Sequence, residues 1–205
     1  MPQRTPSGST IGPAQPSMWS FFRAFLRDRK TIGAVAPTSP GVGRNMARLA
    51  GVGQAKRVVE FGPGTGPITR EVLAALPEDG RLWAYEVYEP FLEPLREMFP
   101  DERLTLLNES AENVRTLRDA EAPEGFDAIV CSIPFSLLPP VATHGIIRTA
   151  AQSLRPGGTV VALQYHPTYL QPIIRQHFEE VRREIYPWNI PPAMLLIGRR
   201  PRSVS

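Results

Sequence analysis

Apolar and polar positions along this chain follow two periods in alternation. Short runs rich in β-branched and aliphatic residues, Val58-Val59-Glu60-Phe61, Leu82-Trp83-Ala84-Tyr85, Leu104 to Leu107, Phe126 to Cys131 and Thr159 to Gln164, read as buried parallel strands. Between them the spacing changes to that of helices, over Val42 to Ala50, from Pro67 through Leu73, Pro90 to Met98, from Ala111 onward, Val141 to Leu154 and Tyr169 to Phe178. Two last strands, near Glu180 to Tyr186 and Ala193 to Arg199, are joined by Pro187-Trp188-Asn189-Ile190-Pro191-Pro192. The alternation predicts an α/β fold: a doubly wound, seven-stranded, mostly parallel, Rossmann-like sheet filling residues 41–200, with a short tail at 201–205.

The pattern breaks down upstream. Residues 1–17 are rich in Pro, Ser and Gly and predict a disordered leader. From Met18 to Lys30, apolar Trp19, Phe22, Phe25 and Leu26 alternate with Arg23, Arg27, Arg29 and Lys30 at helical spacing, a basic amphipathic helix. Such a helix docks on a core, or lies in a membrane interface with its cations among anionic headgroups. The small-residue, proline-bracketed stretch Thr31 to Pro40 is a plain connector or a lid over a ligand.

The chemistry gathers at Glu60-Phe61-Gly62-Pro63-Gly64-Thr65-Gly66, where the first strand runs into a glycine-rich turn that opens a helix. Glycines there let backbone approach a ligand and take positive φ. The dinucleotide spacing G-x-G-x-x-G is absent, because Pro67 stands where its third glycine would be. Glu60 tells more: a carboxylate at this strand end repels a pyrophosphate and suits a cation, which points to S-adenosylmethionine with its ammonium and sulfonium groups. Glu86, ending the second strand, stands where a carboxylate meets a ribose diol. Glu109 and Ser110, past the third strand, suit an adenine edge, and Ser110 also suits a helix cap.

Composition adds limits. The formal charge is +3, and lysines occur only at Lys30 and Lys56, so the basic surface is mostly arginine. The single Cys131 excludes an intrachain disulfide and a cysteine zinc cluster, and no metal is expected. No apolar run is long enough to span a bilayer, and a secretory signal pattern is lacking, which suggests a cytoplasmic protein, at most peripheral to a membrane.

Glu60-x-Gly62-x-Gly64-x-Gly66, Glu86, Glu109-Ser110 and Pro156-Gly157-Gly158 together resemble the class I S-adenosylmethionine-dependent methyltransferases over Gly33 to Arg199. Within that class, Val59 to Gly66 resembles two groups: ribosomal RNA adenine dimethyltransferases and bacterial peripheral phospholipid N-methyltransferases. The first carries Asn-x-Pro-aromatic after the fourth strand, whereas this chain has Ser132-Ile133-Pro134-Phe135, with no carboxamide at Ser132. It also carries a C-terminal helical domain, and few residues follow the last strand here. The upstream segment Phe22 to Pro40 resembles the second group, and selects the interfacial reading of Met18 to Lys30, with Trp19, Phe22, Arg23, Phe25 and Arg27 as membrane contacts.

The resemblance implies N-methylation of phosphatidylethanolamine and its partly methylated forms, toward phosphatidylcholine, at an anionic membrane surface and without a nucleic-acid partner. It assigns Glu60, Gly62, Gly64 and Gly66 to the methionine part of the cofactor, Glu86 to the ribose, and Glu109 and Ser110 to the adenine, with Ser132 and Ile133 beside them; S-adenosylhomocysteine is the product. An amine must lose its proton before it attacks. Tyr165 and His166, at the end of the fifth strand, are the candidates to bind the amine and accept that proton. Tyr186 and Trp188 are expected to line the same pocket by cation–π contact. The alternatives are RNA adenine methylation and a non-catalytic lipid-binding scaffold of the same fold.

Overall fold

The computed structural model describes residues 38–166 and 168–202. The expected leader, the amphipathic helix with its five membrane contacts, and the lid through Pro37 lie outside the described residues. Seven strands form one sheet: β1 (Arg57–Phe61), β2 (Arg81–Tyr85), β3 (Leu104–Leu107), β4 (Phe126–Cys131), β5 (Leu154–Gln164), β6 (Phe178–Tyr186) and β7 (Ala193–Pro201). Their spatial order is β3-β2-β1-β4-β5-β7-β6. β1 to β5 pair in parallel, while β7 runs antiparallel to both β5 and β6. Among the described residues six α-helices flank the sheet, α1 (Pro40–Ala50) ahead of β1 and the other five between strands: α2 (Pro67–Ala75), α3 (Leu92–Met98), α4 (Val114–Glu121), α5 (Pro140–Ser153) and α6 (Leu170–His177).

Both sheet faces are covered, which explains why the strands read as near-continuous apolar runs. Val58, Leu82, Val130 and Val161 pack with Met46, Val72 and Leu95 on one face, under α1, α2 and α3. Val59, Trp83, Ile129 and Val160 pack with Val114, Ile147 and Ile174 on the other, under α4, α5 and α6. Neighbouring residues on β1 therefore face opposite layers, and Glu60 shares its face with Val58.

Several boundaries depart from the sequence expectation, and two of them have a clear local cause. Helix α3 begins at Leu92 after a 3₁₀ turn over Glu89–Phe91, because Pro94 has no N–H to donate to Pro90 O and is tolerated only within the first turn of the helix. Strand β5 begins at Leu154, five residues early, and its pairing with β4 shifts register between Phe126 and Ala128, so that Arg155 to Gly158 bulge out of the ladder.

The register sets the site. Phe61 pairs with Tyr85 and with Cys131, and Tyr85 pairs with Leu107. The first residues beyond these four strands, Asn108, Glu86, Gly62 and Ser132, consequently stand in a row at the carboxyl edge, where open α/β sheets bind ligands.

Candidate active site

Backbone bonds carry the ladder one step past the strands: Gly62 N donates to Tyr85 O at 2.9 Å, Glu86 N to Leu107 O at 2.9 Å and Ser132 N to Phe61 O at 2.9 Å. Side chains reinforce the row. Ser132 Oγ donates to Gly62 O at 2.6 Å, and Asn108 Nδ2 donates to Glu86 O at 2.9 Å. Thus the hydroxyl at Ser132 holds the glycine turn in place. Ile133 packs on the same turn, its Cγ1 3.2 Å from where a Cβ on Gly62 would stand.

The turn needs its glycines for different reasons. Gly64 has φ +59° and nothing within 4 Å of an added Cβ, so its outer face is open to a ligand. At Gly66, φ is +85° and a Cβ would stand 2.5 Å from the Phe99 ring. That glycine lets α2 start against α3.

Two carboxylates are buried beneath this turn. Glu86 is held by backbone: its Oε2 accepts from Gly64 N at 3.0 Å and its Oε1 from Tyr88 N at 2.8 Å. Burial raises its pKa, while these N–H groups oppose the rise. Glu60 is different: it is 0% exposed and neither carboxylate oxygen has a hydrogen-bond partner among the described residues. Burial pushes its pKa to about 8; the Thr69 hydroxyl on α2 pulls it down without completing a hydrogen bond, and the Glu86 carboxylate adds to the rise. A buried, unpartnered carboxylate is costly unless something cationic meets it.

The remaining expected residues divide. Glu109 is exposed and accepts from Asn113 Nδ2 at 3.3 Å, one strand beyond Glu86. Ser110 caps the turn at Ala111–Asn113 by accepting from Glu112 N at 3.3 Å, which leaves Glu109 beside the row. Tyr165 and His166 stand exposed just beyond β5, and the His166 ring meets Tyr169 edge-on at 6.3 Å. Tyr169 in turn reaches Thr143 Oγ1 at 3.3 Å. Trp188, expected beside Tyr186 as a pocket wall, stands 82% exposed on the proline-rich stretch between β6 and β7. Tyr186 is half-buried and packs on α1, with its hydroxyl 2.0 Å from where a Cβ on Gly41 would stand. Thr69, Asn108 and Tyr169 were not singled out from sequence. A Thr two residues into a helix and an Asn after a strand are common without function, and only the fold brings them to Glu60 and Glu86.

The arrangement suits S-adenosylmethionine: an unpaired buried carboxylate for an ammonium, an open glycine face for close approach, and a second carboxylate at the next strand. The methyltransferase domain family matches residues 58–158. The chain carries a class I, S-adenosylmethionine-dependent methyltransferase domain. This methyltransferase is 29% identical over 174 residues to the ornithine lipid N-methyltransferase of Singulisphaera acidiphila, spanning 84% of this chain and 91% of that protein. It is 31% identical over 125 residues to ribosomal RNA small subunit methyltransferase A of Mycolicibacterium paratuberculosis, covering 58% of this chain but only 37% of that protein. Among solved structures, N-methyltransferase NodS from Bradyrhizobium japonicum WM9 in complex with S-adenosyl-L-homocysteine superposes with a TM-score of 0.67 at 16% identity, over 90% of this chain and 98% of that one. Among the described residues, no helix is long and apolar enough to cross a membrane.

Proposed function

We propose that this methyltransferase N-methylates the headgroup amine of a membrane lipid, with phosphatidylethanolamine and its partly methylated forms as acceptors, at the membrane surface. The observation that carries this reading is the extent of the likeness to the ornithine lipid enzyme, which spans nearly the whole of that protein. Ornithine lipid and phosphatidylethanolamine share a primary amine near a lipid headgroup. The likeness to the ribosomal RNA enzyme compared above covers 37% of that protein, and Ser132 lacks the carboxamide that would hold an adenine amine.

The cofactor supplies an electrophilic methyl group, and the chain supplies position and proton traffic. Glu60 and the glycine turn hold the methionine end, and Glu86 holds the ribose. Ser132 and Ile133 keep Gly62 in register beneath them. Tyr165 offers an aromatic face to the ammonium form of the acceptor, and His166 takes its proton so that a nitrogen lone pair is available for attack. Solvent exposure suits this pair, since the proton has to leave to water.

Labelled methyl transfer tests the reading with detergent-dispersed phosphatidylethanolamine, ornithine lipid and unmodified ribosomal RNA offered side by side. Label is expected in phosphatidylethanolamine. Label confined to ornithine lipid would move the headgroup assignment, and label in RNA would overturn lipid methylation. In the same assay, Tyr165→Ala and His166→Gln should lower turnover at least tenfold with cofactor affinity unchanged, Tyr165→Phe should keep most of the rate because the aromatic face remains, and His166→Gln should alter the pH profile. An unchanged profile leaves His166 structural.

A further inference from the structure

The large exposed apolar side chains are not scattered over the described surface. Leu137, Val141, Tyr165, Ile185, Trp188 and Ile190 all stand at the carboxyl end of the sheet, and Met98 is the exception. The topology puts them there: Leu137 and Val141 follow β4, and Tyr165 follows β5. Because β6 and β5 both run opposite to β7, the β6–β7 loop emerges at the same end. The rim therefore lies on the edge that carries the glycine turn.

Its summit is built rather than loose. Trp188 and Ile190 are 82% and 81% exposed, while Asn189 between them is 2% exposed. Asn189 Oδ1 accepts from Ser39 N at 3.0 Å, and its Nδ2 donates to Pro191 O at 2.8 Å. A buried amide thus clamps the loop so that its two apolar neighbours point outward, and prolines at 187, 191 and 192 limit its conformations. Apolar side chains held outward together on one edge mark a surface that meets something apolar.

We propose that the β6–β7 loop is a lipid-docking wedge, with Trp188 and Ile190 entering the boundary between headgroups and acyl chains of an anionic bilayer. This rests on the lipid-acceptor reading above. A lipid whose amine reaches the carboxyl edge has its acyl chains against that edge, and tryptophan favours the membrane interface. The chain preceding the described residues joins the fold at the clamp itself, through Ser39. Lys30 is nine residues and Arg23 sixteen residues before Ser39, so chain length alone keeps Lys30 within about 32 Å of the clamp and Arg23 within about 58 Å. Arg182 and Arg183 on β6 are exposed and form no ion pair with the described residues. Both sets of cations complement an anionic leaflet.

The test uses the full chain and vesicles of phosphatidylethanolamine with phosphatidylglycerol. Trp188→Ala with Ile190→Ala is expected to cut vesicle partitioning at least tenfold, with cofactor affinity, melting temperature and the rate on detergent-dispersed lipid unchanged. In a Trp19→Phe background, brominated acyl chains should quench Trp188, and buried Trp83, packed on Phe126, serves as the constant signal. Unchanged partitioning of the double variant overturns the wedge. So does a Trp188 emission that is already blue-shifted without lipid and indifferent to vesicles, which assigns the patch to residues 18–37, or partitioning that is unchanged while self-association is lost, which assigns it to a second copy. If docking depends on Trp188 and Ile190 but dispersed lipid is never methylated, the wedge stands and the acceptor reading fails.

Discussion

At the scale of the residue, Glu60 is where sequence, burial and ligand chemistry meet. The protein buries this carboxyl group with no hydrogen-bond partner among the described residues, and burial makes the neutral form dominate below about pH 8 in the ligand-free protein. Its folded pKa lies above the ordinary 4.5, hence this group stabilises the fold fully below pH 4.5, and that contribution is lost as pH rises toward about 8. The loss is on the order of a few kcal/mol. Ligand-free wild type should therefore melt at a lower temperature relative to Glu60→Gln as pH increases from 5 to 8. An ammonium placed beside Glu60 reverses the preference and restores the carboxylate. Cofactor affinity should then strengthen with pH over the same window, with proton release detectable by calorimetry in buffers of different ionisation enthalpy. In Glu60→Gln both dependences should vanish; a pH-independent affinity in wild type would remove the ammonium from Glu60. Cys131 is a contrasting case: burial pushes its thiol up to about 12, so it stays protonated and acts as core.

At the scale of elements, the carboxyl edge is functional because the opposite edge is tied down. Asp127 on β4 accepts from Lys56 N at 2.9 Å and Arg57 N at 2.8 Å and pairs with Arg155 at the β5 bulge. Burial works against its ionisation, yet Arg155 and the two N–H groups hold its pKa below the usual value. One carboxylate thus joins β1, β4 and β5 at their amino ends, which fixes the register that lines up Gly62, Glu86 and Ser132. Asp127→Ala should lower stability by about 1–3 kcal/mol, since it leaves backbone donors unpaired. It should also weaken cofactor affinity through the register, and urea melts with and without cofactor measure both. Undiminished stability would mean that water replaces the carboxylate.

At the scale of the whole molecule, the protein is asymmetric: charged clasps lie at one end of the sheet, and the glycine turn, buried carboxylates and exposed apolar rim at the other. The basic stretch Met18 to Lys30 is expected, from the resemblance to peripheral phospholipid N-methyltransferases, to meet a membrane, and the chain that follows it joins the fold at the apolar end. Reversing Arg23 and Arg27 to Glu should release the protein from anionic vesicles and lower activity on them, leaving cofactor affinity unchanged. Each cation near an anionic leaflet is worth about 1 kcal/mol, so the double reversal should cost far more than tenfold in partitioning at low salt and less at high salt. Unaltered salt dependence would place the electrostatic contact elsewhere, with Arg182 and Arg183 as the next candidates.

The sequence by itself determined the order and kind of nearly every element, because buried parallel strands must be apolar on both faces and the turns between them carry glycine and proline. It also determined the cofactor: Glu60, the three glycines and Glu86 are close in sequence or recur at strand ends, so local spacing carries their meaning. The tertiary structure decided what depends on register and direction. That Glu60 has no partner, that Ser132 grips Gly62, and that Asp127 clasps three strands follow from pairing between segments some seventy residues apart. Trp188 shows the limit most plainly. Its aromatic character is legible in the sequence, but a buried Asn189 bonded to Ser39, 150 positions away, fixes which side of the loop faces out. Composition gives a side chain its chemistry, and only the packing of distant segments gives it a direction.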